Sequence, residues 1–375
     1  MIVINGSSSV LVGHVFKFLN RRLNRTWQGS IDRIREQLVA EKIDIPSMCK
    51  DSDTQISAIS TVTDFLQLSD AVGRCHEAWK RTCRQGRRFW NILRPKRCWS
   101  SPCFARRRCG AVKNGDFLVY YLTRLKLAES IFGRRLLDTL DVHWYPEARA
   151  GNVRIIAVDA TPDVVAARLQ APRSLWDPTY VENSWIARSI HGPIALIPRL
   201  LSKIQGSYPG TLLSLSEYNY GGGAYISGGI AQADALGIFG RYGVYAACQW
   251  PLSRHEPFVA GAFAMYRNYD GKGGAFGDTS ISATTDDVVG TSVYASVDSS
   301  DPTRMVIVAI NKTDHDITAD VTMWYPDEYR EGYVHQLTAA APTPADSFLT
   351  LMLHPGRFWV PMPPMSVSTI EFKAQ

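Results

Sequence analysis

The sequence predicts an α/β segment built on a parallel sheet, followed by an all-β domain. Three observations carry this. Between Gly115 and about Met265, helix-like and strand-like stretches alternate as in repeated βαβ units. The strands there end in polar and aromatic residues, where barrel enzymes place their active sites. From about Ser280 onward, period-2 runs split by turn residues replace that alternation.

In chain order, "DFLVYYLTRLKLAESIFGRRL" has apolar residues at helical spacing and predicts a helix. "LLDTLDVHWYP" is a short strand with a polar, aromatic tip. "LIPRLLSKIQ" is helical and stops at Gly206, and "TLLSLSEYNYGGG" is again a strand with a polar tip. "SGGIAQADALGIFGRYG" predicts a helix with a glycine-rich start, and "VYAACQWPL" a third strand of the same form. Beyond the linker "YRNYDGKGGAFGDTS", the runs around Ser-Ser-Asp-Pro and Asn-Lys-Thr-Asp turns give about seven short strands, which fit a β-sandwich. Three zones follow: residues 1–113, anomalous and expected to be poorly ordered; 114–279, the α/β part; and 280–375, the β-sandwich.

At 375 residues the chain can hold one large barrel or two smaller domains. Hydrophobic residues at 45% and charged residues at 20% are ordinary for a globular protein, so composition excludes a fibrous or wholly disordered chain. The net charge of +6 is local. Residues 74–113 hold 13 Lys and Arg against the single acid Glu77, which leaves the other 335 residues at −6. A nucleic-acid partner would rest on that segment alone, and none is expected. Six of the seven cysteines (Cys49, Cys75, Cys83, Cys98, Cys103 and Cys109) also lie early, without a C-x-x-C pair, which argues against a zinc site. No run of 18 apolar residues suggests a membrane span, and the first residues lack the basic start and cleavage site of a signal peptide.

Glu217, in "SEYNYGGG", ends an apolar strand, where a carboxylate costs free energy unless paired or used. Two readings stand side by side. It is a nucleophile for glycoside cleavage, or a strand-end acid that accepts hydrogen bonds from the glycine loop. The "DVHWYPE" strand offers His143 to hold a carboxylate or a sugar hydroxyl, and Trp144 and Tyr145 as flat faces for pyranose rings. Tyr218 and Tyr220 flank the acid, and Trp250 in "CQWPL" holds the same position on a third strand. The loop "RSLWDPTYVENSWIA" adds Trp176, Tyr180 and Trp185, either as sugar platforms or as loop anchors. A ring-binding cleft explains the three strand tips together. The glycine runs match neither nucleotide-binding loop pattern.

These stretches, together with "LSLSEYNYGGGAYISGGIAQADALGIFGRYGVYAACQWPL" and "MYRNYDGKGGAFGDTSISATTDDVVGTSVYASVD", resemble the catalytic module of glycoside hydrolase family 44 from about Asp116 to the C-terminus. The resemblance implies a (β/α)8 TIM-type barrel, of which strands six to eight are recognisable, with an attached C-terminal β-sandwich. It also implies retaining endo-hydrolysis of β-1,4-glucosidic bonds in cellulose-type glucans or xyloglucan. Glu217 takes the nucleophile's place in that comparison. No cofactor is required; a structural calcium ion is compatible, with no ligands assigned. A β-glucan polysaccharide or oligosaccharide is the expected partner, the protein is expected to be a monomer, and family members are extracellular.

One departure is informative. The family's acid/base glutamate lies in an Asn-Glu-Pro motif, and this chain contains none. The acid/base is therefore not identifiable. Glu77 lies in the anomalous segment, Glu129 and Glu182 lie in helical or loop contexts, and Glu147, the one acid beside the cleft, is not assigned. The missing motif and the Arg-, Cys- and Trp-rich composition predict truncation and frame-shifting upstream of about residue 113. Either an endoglucanase, impaired or not, or an inactive carbohydrate-binding remnant follows.

Overall fold

The computed structural model describes residues 2–5, 116–158, 160–251, 254–324, 329–345, 348–354 and 356–374. The chain divides into two compact units. Of the described residues, one holds 144–196 and 217–374 with 2–5; the other holds 116–143 and 197–216.

In the second unit, helix α1 (Phe117–Phe132) starts where Asp116 accepts hydrogen bonds from the amides of Leu118 and Val119, at 2.9 and 3.1 Å. It ends at Gly133 in the left-handed conformation, φ 67°. Its outer side leaves Phe117, Leu127, Ile131 and Phe132 exposed. Helix α4 (Leu196–Ser207) buries Ile197, Leu200 and Ile204, one stripe of a 3.6-residue repeat. Strands β2 (Thr139–Trp144) and β5 (Leu212–Tyr218) leave this unit at their C-terminal tips.

In the first unit, the hairpin β3 (Arg149–Ala150) and β4 (Val153–Arg154) precedes helix α2 (Pro162–Gln170), a 3-10 turn (Ala171–Leu175) and the short helix α3 (Trp185–Ile190). Helix α5 (Ile226–Arg241) is buried from Ser227 to Phe239 on all sides. A helix buried all round has to be covered all round. Here α2 and α6 (Pro257–Arg267) cover part of it, and strands β8 (Thr291–Asp298), β9 (Asp301–Asn311) and β14 (Ser366–Ala374) more. Strand β6 (Ala246–Gln249) completes a three-stranded sheet of order β2-β5-β6. The elements expected from Phe117 to Gln249 are therefore found. Helices α2, α3 and α6 were not expected, because short amphipathic turns among aromatic loops carry little periodicity.

The C-terminal strands are β7 (Thr279–Thr285), β8 (Thr291–Asp298), β9 (Asp301–Asn311), β10 (Ile317–Trp324), β11 (Tyr329–Leu337), β12 (Phe348–His354), β13 (Arg357–Met362) and β14 (Ser366–Ala374). Where about seven short strands were expected, nine strands among the described residues pair in a closed ring, β1-β10-β13-β12-β11-β14-β9-β8-β7. Strand β1 (Ile2–Asn5) closes it, pairing antiparallel with β7 and parallel with β10. The physical reason is the pair of free edges that β7 and β10 would otherwise present; closure removes both. The alternation on β13, exposed at Arg357, Trp359 and Pro361 and buried at Phe358, Val360 and Met362, sends one side of each strand into a single core. Residues 2–5 thus belong to the all-β part. The remainder of the segment expected to be poorly ordered and out of frame lies outside the described residues.

Asp234 on α5 meets Lys312 at 2.7 Å and accepts a 2.5 Å hydrogen bond from Tyr294 of β8. Both charged side chains are 1% exposed. This pair fastens the buried helix to the strand ring.

Candidate active site

The approach to Glu217 is fixed by Asp141 of β2. Its carboxylate accepts from the Ser214 hydroxyl and the Ser216 amide, each at 2.9 Å, and from the Ser216 hydroxyl at 2.5 Å. The residue before the acid is thereby clamped in both backbone and side chain. Asp141 carries no sequence signal beyond its place in the strand, and its role comes only from the pairing.

Past the clamp, Tyr145 donates its hydroxyl to Glu217 Oε2 at 3.0 Å. Both residues are half-buried. Burial, and then the hydrogen bond to the Glu217 carboxylate and its charge, push the Tyr145 pKa up to about 12. The phenol therefore stays a donor through neutral and mildly alkaline pH. The folded protein holds this proton more tightly than an unfolded tyrosine near 10, so the stability it lends is complete below pH 10. It is lost as pH rises from 10 towards about 12. Difference titration of the phenol absorbance between wild type and Tyr145→Phe should show one group ionising near pH 12, and a step near 10 would contradict it.

The glycines after Glu217 are required by close packing. Gly221 and Gly222 have φ 69° and 62°, the left-handed region that favours glycine. A Cβ on Gly221 would lie 2.3 Å from the Ile156 Cα, and one on Gly222 2.5 Å from the Arg168 guanidinium. Arg168 is completely buried. It donates to the Ile155 carbonyl at 3.0 and 2.8 Å, to the Ala157 carbonyl at 3.1 Å and to Ser227 Oγ at 3.0 Å. The guanidinium thus joins the β4 loop to the start of α5 directly beneath the turn, a positioning role that sequence reasoning missed. Its only sequence signal is an arginine in the otherwise apolar stretch "VVAARL". Gly221→Ala should cost about 1–2 kcal/mol for the left-handed backbone alone. The backbone contact adds to this, so the melting temperature of the variant falls; an unchanged melt would refute the argument.

The turn's own amide is satisfied next door. Asn219 Oδ1 accepts from the Gly221 amide at 2.6 Å, while its Nδ2 donates to the Trp250 carbonyl at 2.9 Å. The Trp250 amide in turn donates to the Tyr218 carbonyl at 3.0 Å. The tips of β5 and β6 are stitched together by Asn219, the residue on which the glycine-loop hydrogen bond falls.

The predicted aromatic platforms divide. Trp144, at 5% exposed, and Tyr220, at 2%, lie inside the protein, as does Tyr218. The Tyr218 hydroxyl accepts from Gln232 at 2.6 Å, and its ring meets Phe239 edge-on at 5.0 Å. These three rings are enclosed within the protein, where they brace the strand tips. Trp250, at 59%, is open to solvent, Tyr145 and Trp176 are half-buried, and Trp185 at the head of α3 is exposed. Tyr180 lies under the Arg173 guanidinium, 4.8 Å from its ring centre, as a loop anchor. His143 is half-buried on β2, in the other compact unit.

The acids considered for proton transfer have structural partners. Glu129 accepts from the Tyr208 hydroxyl. Glu147 pairs with Arg154 at 2.6 Å. Glu182 is buried and accepts from Ser174 Oγ at 2.6 Å, and burial raises its pKa. A raised pKa suits a general acid, but a side chain this enclosed does not reach a polymer. Glu77 lies outside the described residues. Among the described residues, no group of three or more His, Cys, Asp or Glu could hold a metal ion, and no helix is long and apolar enough to cross a membrane.

The profile of glycoside hydrolase family 44 matches residues 93–148. Endoglucanase A of Paenibacillus lautus is 37% identical over 344 residues, covering 90% of this chain and 44% of that protein. Beta-mannanase/endoglucanase A of Caldicellulosiruptor saccharolyticus is 42% identical over 240 residues, 60% of this chain and 18% of that one. Among solved structures, a family 44 endoglucanase produced by Clostridium acetobutylium superposes with a TM-score of 0.68 at 40% identity, over 73% of this chain and 54% of that one. A Paenibacillus polymyxa family 44 xyloglucanase, solved with xyloglucan, gives 0.68 at 38%, over 74% and 54%. The chain thus spans less than half the length of these curated relatives and about half of these solved ones. The kinship also reaches upstream of Asp116, into the Arg- and Cys-rich segment, because the profile match begins at residue 93.

Proposed function

We propose, for a chain that is a homologue of the family 44 glycoside hydrolases, that it cleaves β-1,4-glucosidic bonds in cellulose-type glucans or xyloglucan with retention of configuration, Glu217 being the nucleophile. The observation that carries this is Glu217 at the tip of β5, its carboxylate held by the Tyr145 hydroxyl. A carboxylate so oriented, beside the exposed Trp250, can attack an anomeric carbon and form a glycosyl ester that water then hydrolyses. In this reading β2, β5 and β6 are the sixth to eighth strands of a (β/α)8 barrel, whose catalytic residues sit at the C-terminal strand ends.

The first step also needs a proton for the departing sugar oxygen. No Asn-Glu-Pro occurs in the sequence, and the described acids that were considered have other partners. That favours a second reading, a carbohydrate-binding relative with hydrolysis impaired, since general acid help is worth ~10²–10⁴-fold. The assay that decides is hydrolysis of carboxymethylcellulose and xyloglucan by wild type beside Glu217→Gln. Turnover that depends on Glu217 supports the first reading; turnover no greater than the variant's leaves the second. Family relatives point to a secreted protein working on extracellular polysaccharide. We take the protein to be a monomer without nucleic-acid or membrane partner, and to need no cofactor.

A further inference from the structure

Four strands of the ring, β10-β13-β12-β11, are neighbours in that order. On β10, β13 and β11 the residues facing the core are apolar and buried: Val321 and Met323, Phe358 and Val360, and Val334. The opposite side should be polar. Instead it carries Trp324, 67% exposed, and Trp359, 52% exposed, with Tyr333 and Leu349, which are register partners and both open to solvent. Large apolar side chains gathered on one sheet face mark a binding surface more often than chance.

We propose that this face is a second sugar-binding surface, taking a stretch of neutral β-1,4-glucan chain away from Glu217. The proposal rests on the glucan reading above and adds a site to it. Three features select that ligand. The aromatic residues are spread along a line: Trp359 is the register partner of Asp320, and Trp324 lies four residues further along β10, roughly 13 Å at the usual strand rise. Tyr333 lies two strands beyond β13, roughly 10 Å across. A line this long matches an extended chain of several rings and not a compact side-chain anchor. Flat aromatic faces stack on the C–H faces that all-equatorial glucose rings present.

Charge is the third feature. Asp320 and Arg357 lie on this face and neutralise each other, Nε to Oδ1 at 2.8 Å with a second bond from Nη2 to Oδ2. The two charged side chains on this side of β10 and β13 thus compensate each other, leaving Glu331 of β11 as a described acid on the face, while Thr318 and Thr322 on the same side of β10 supply hydroxyls for sugar hydrogen bonds.

The test uses the full-length chain carrying Glu217→Gln, so that polymer is not consumed, and measures depletion from solution by amorphous cellulose and retention by immobilised xyloglucan. Adding Trp324→Ala and Trp359→Ala together should weaken binding about tenfold. Replacing the same two residues by tyrosine, which keeps a ring, should restore most of it. On the wild-type Glu217 background, the alanine pair should leave hydrolysis of a short soluble aryl cello-oligosaccharide unchanged. Equal binding by the alanine pair and its parent overturns the proposal, as does no binding by the parent. So does sedimentation showing that the alanine pair turns a dimer into a monomer, because the face would then be covered by a second copy. If Trp-dependent binding persists while wild type hydrolyses nothing, the glucanase reading fails and this one stands.

Discussion

Glu217→Gln should lower turnover on carboxymethylcellulose and xyloglucan by on the order of 10⁴-fold or more, as removal of a covalent nucleophile does elsewhere. The amide is nearly isosteric and can still accept the Tyr145 hydroxyl, so the fold should be undisturbed and the melting curve unchanged. What it cannot do is form the glycosyl ester. The leaving group separates this loss from that of a missing acid. A dinitrophenyl cello-oligosaccharide departs without protonation, so a wild type lacking a working acid should still cleave it while hydrolysing polymer ~10²–10⁴-fold more slowly than an intact pair would allow. Glu217→Gln should be inactive on both substrates. Wild-type rates on the dinitrophenyl substrate equal to the variant's would show that Glu217 is not the nucleophile.

Lys312→Ala should be the most destabilising single change among the described residues that we consider. It leaves the Asp234 carboxylate enclosed between α5 and the strand ring without its cation. Breaking a buried pair from one side costs about 3–5 kcal/mol. At roughly 2–4 °C per kcal/mol for a domain of this size, the melting temperature should drop by about 10 °C. The double change Asp234→Leu with Lys312→Met removes both charges and should recover much of the loss, because an ion pair this buried is seldom better than apolar packing of equal volume. Differential scanning calorimetry on the three proteins measures it. A single variant that melts with wild type would mean that water reaches Asp234.

Much of the architecture was legible. The helices from Phe117, Leu196 and Ile226 and the strands ending at Trp144, Tyr218 and Gln249 lie where spacing placed them, because apolar periodicity reports which sides of an element are buried. The acid at a strand tip was legible for the same reason. It interrupts an apolar run.

Other parts were not. Whether Trp144, Tyr218 and Tyr220 faced a ligand or the interior could not be read, because an aromatic ring at a strand tip suits both, and only the layer lying over it decides. The nine-stranded ring was hidden for a different reason. Its closing strand is the tetrapeptide Ile2–Asn5, paired with segments some 280 and 320 residues further along, and local pattern carries no record of so distant a partner.

By itself, then, the sequence determined the succession of elements, the place of Glu217 at the end of β5, and the resemblance to family 44 glycoside hydrolases. Only the tertiary structure decided which aromatic residues remain open, that Asp141 and Tyr145 hold the approach and the carboxylate, and that Arg168 fills the space the glycines leave. The division has one physical cause. Periodicity follows from the geometry of a single element, whereas burial of a ring, pairing of a charge and the room for a glycine turn depend on atoms brought together from distant parts of the chain.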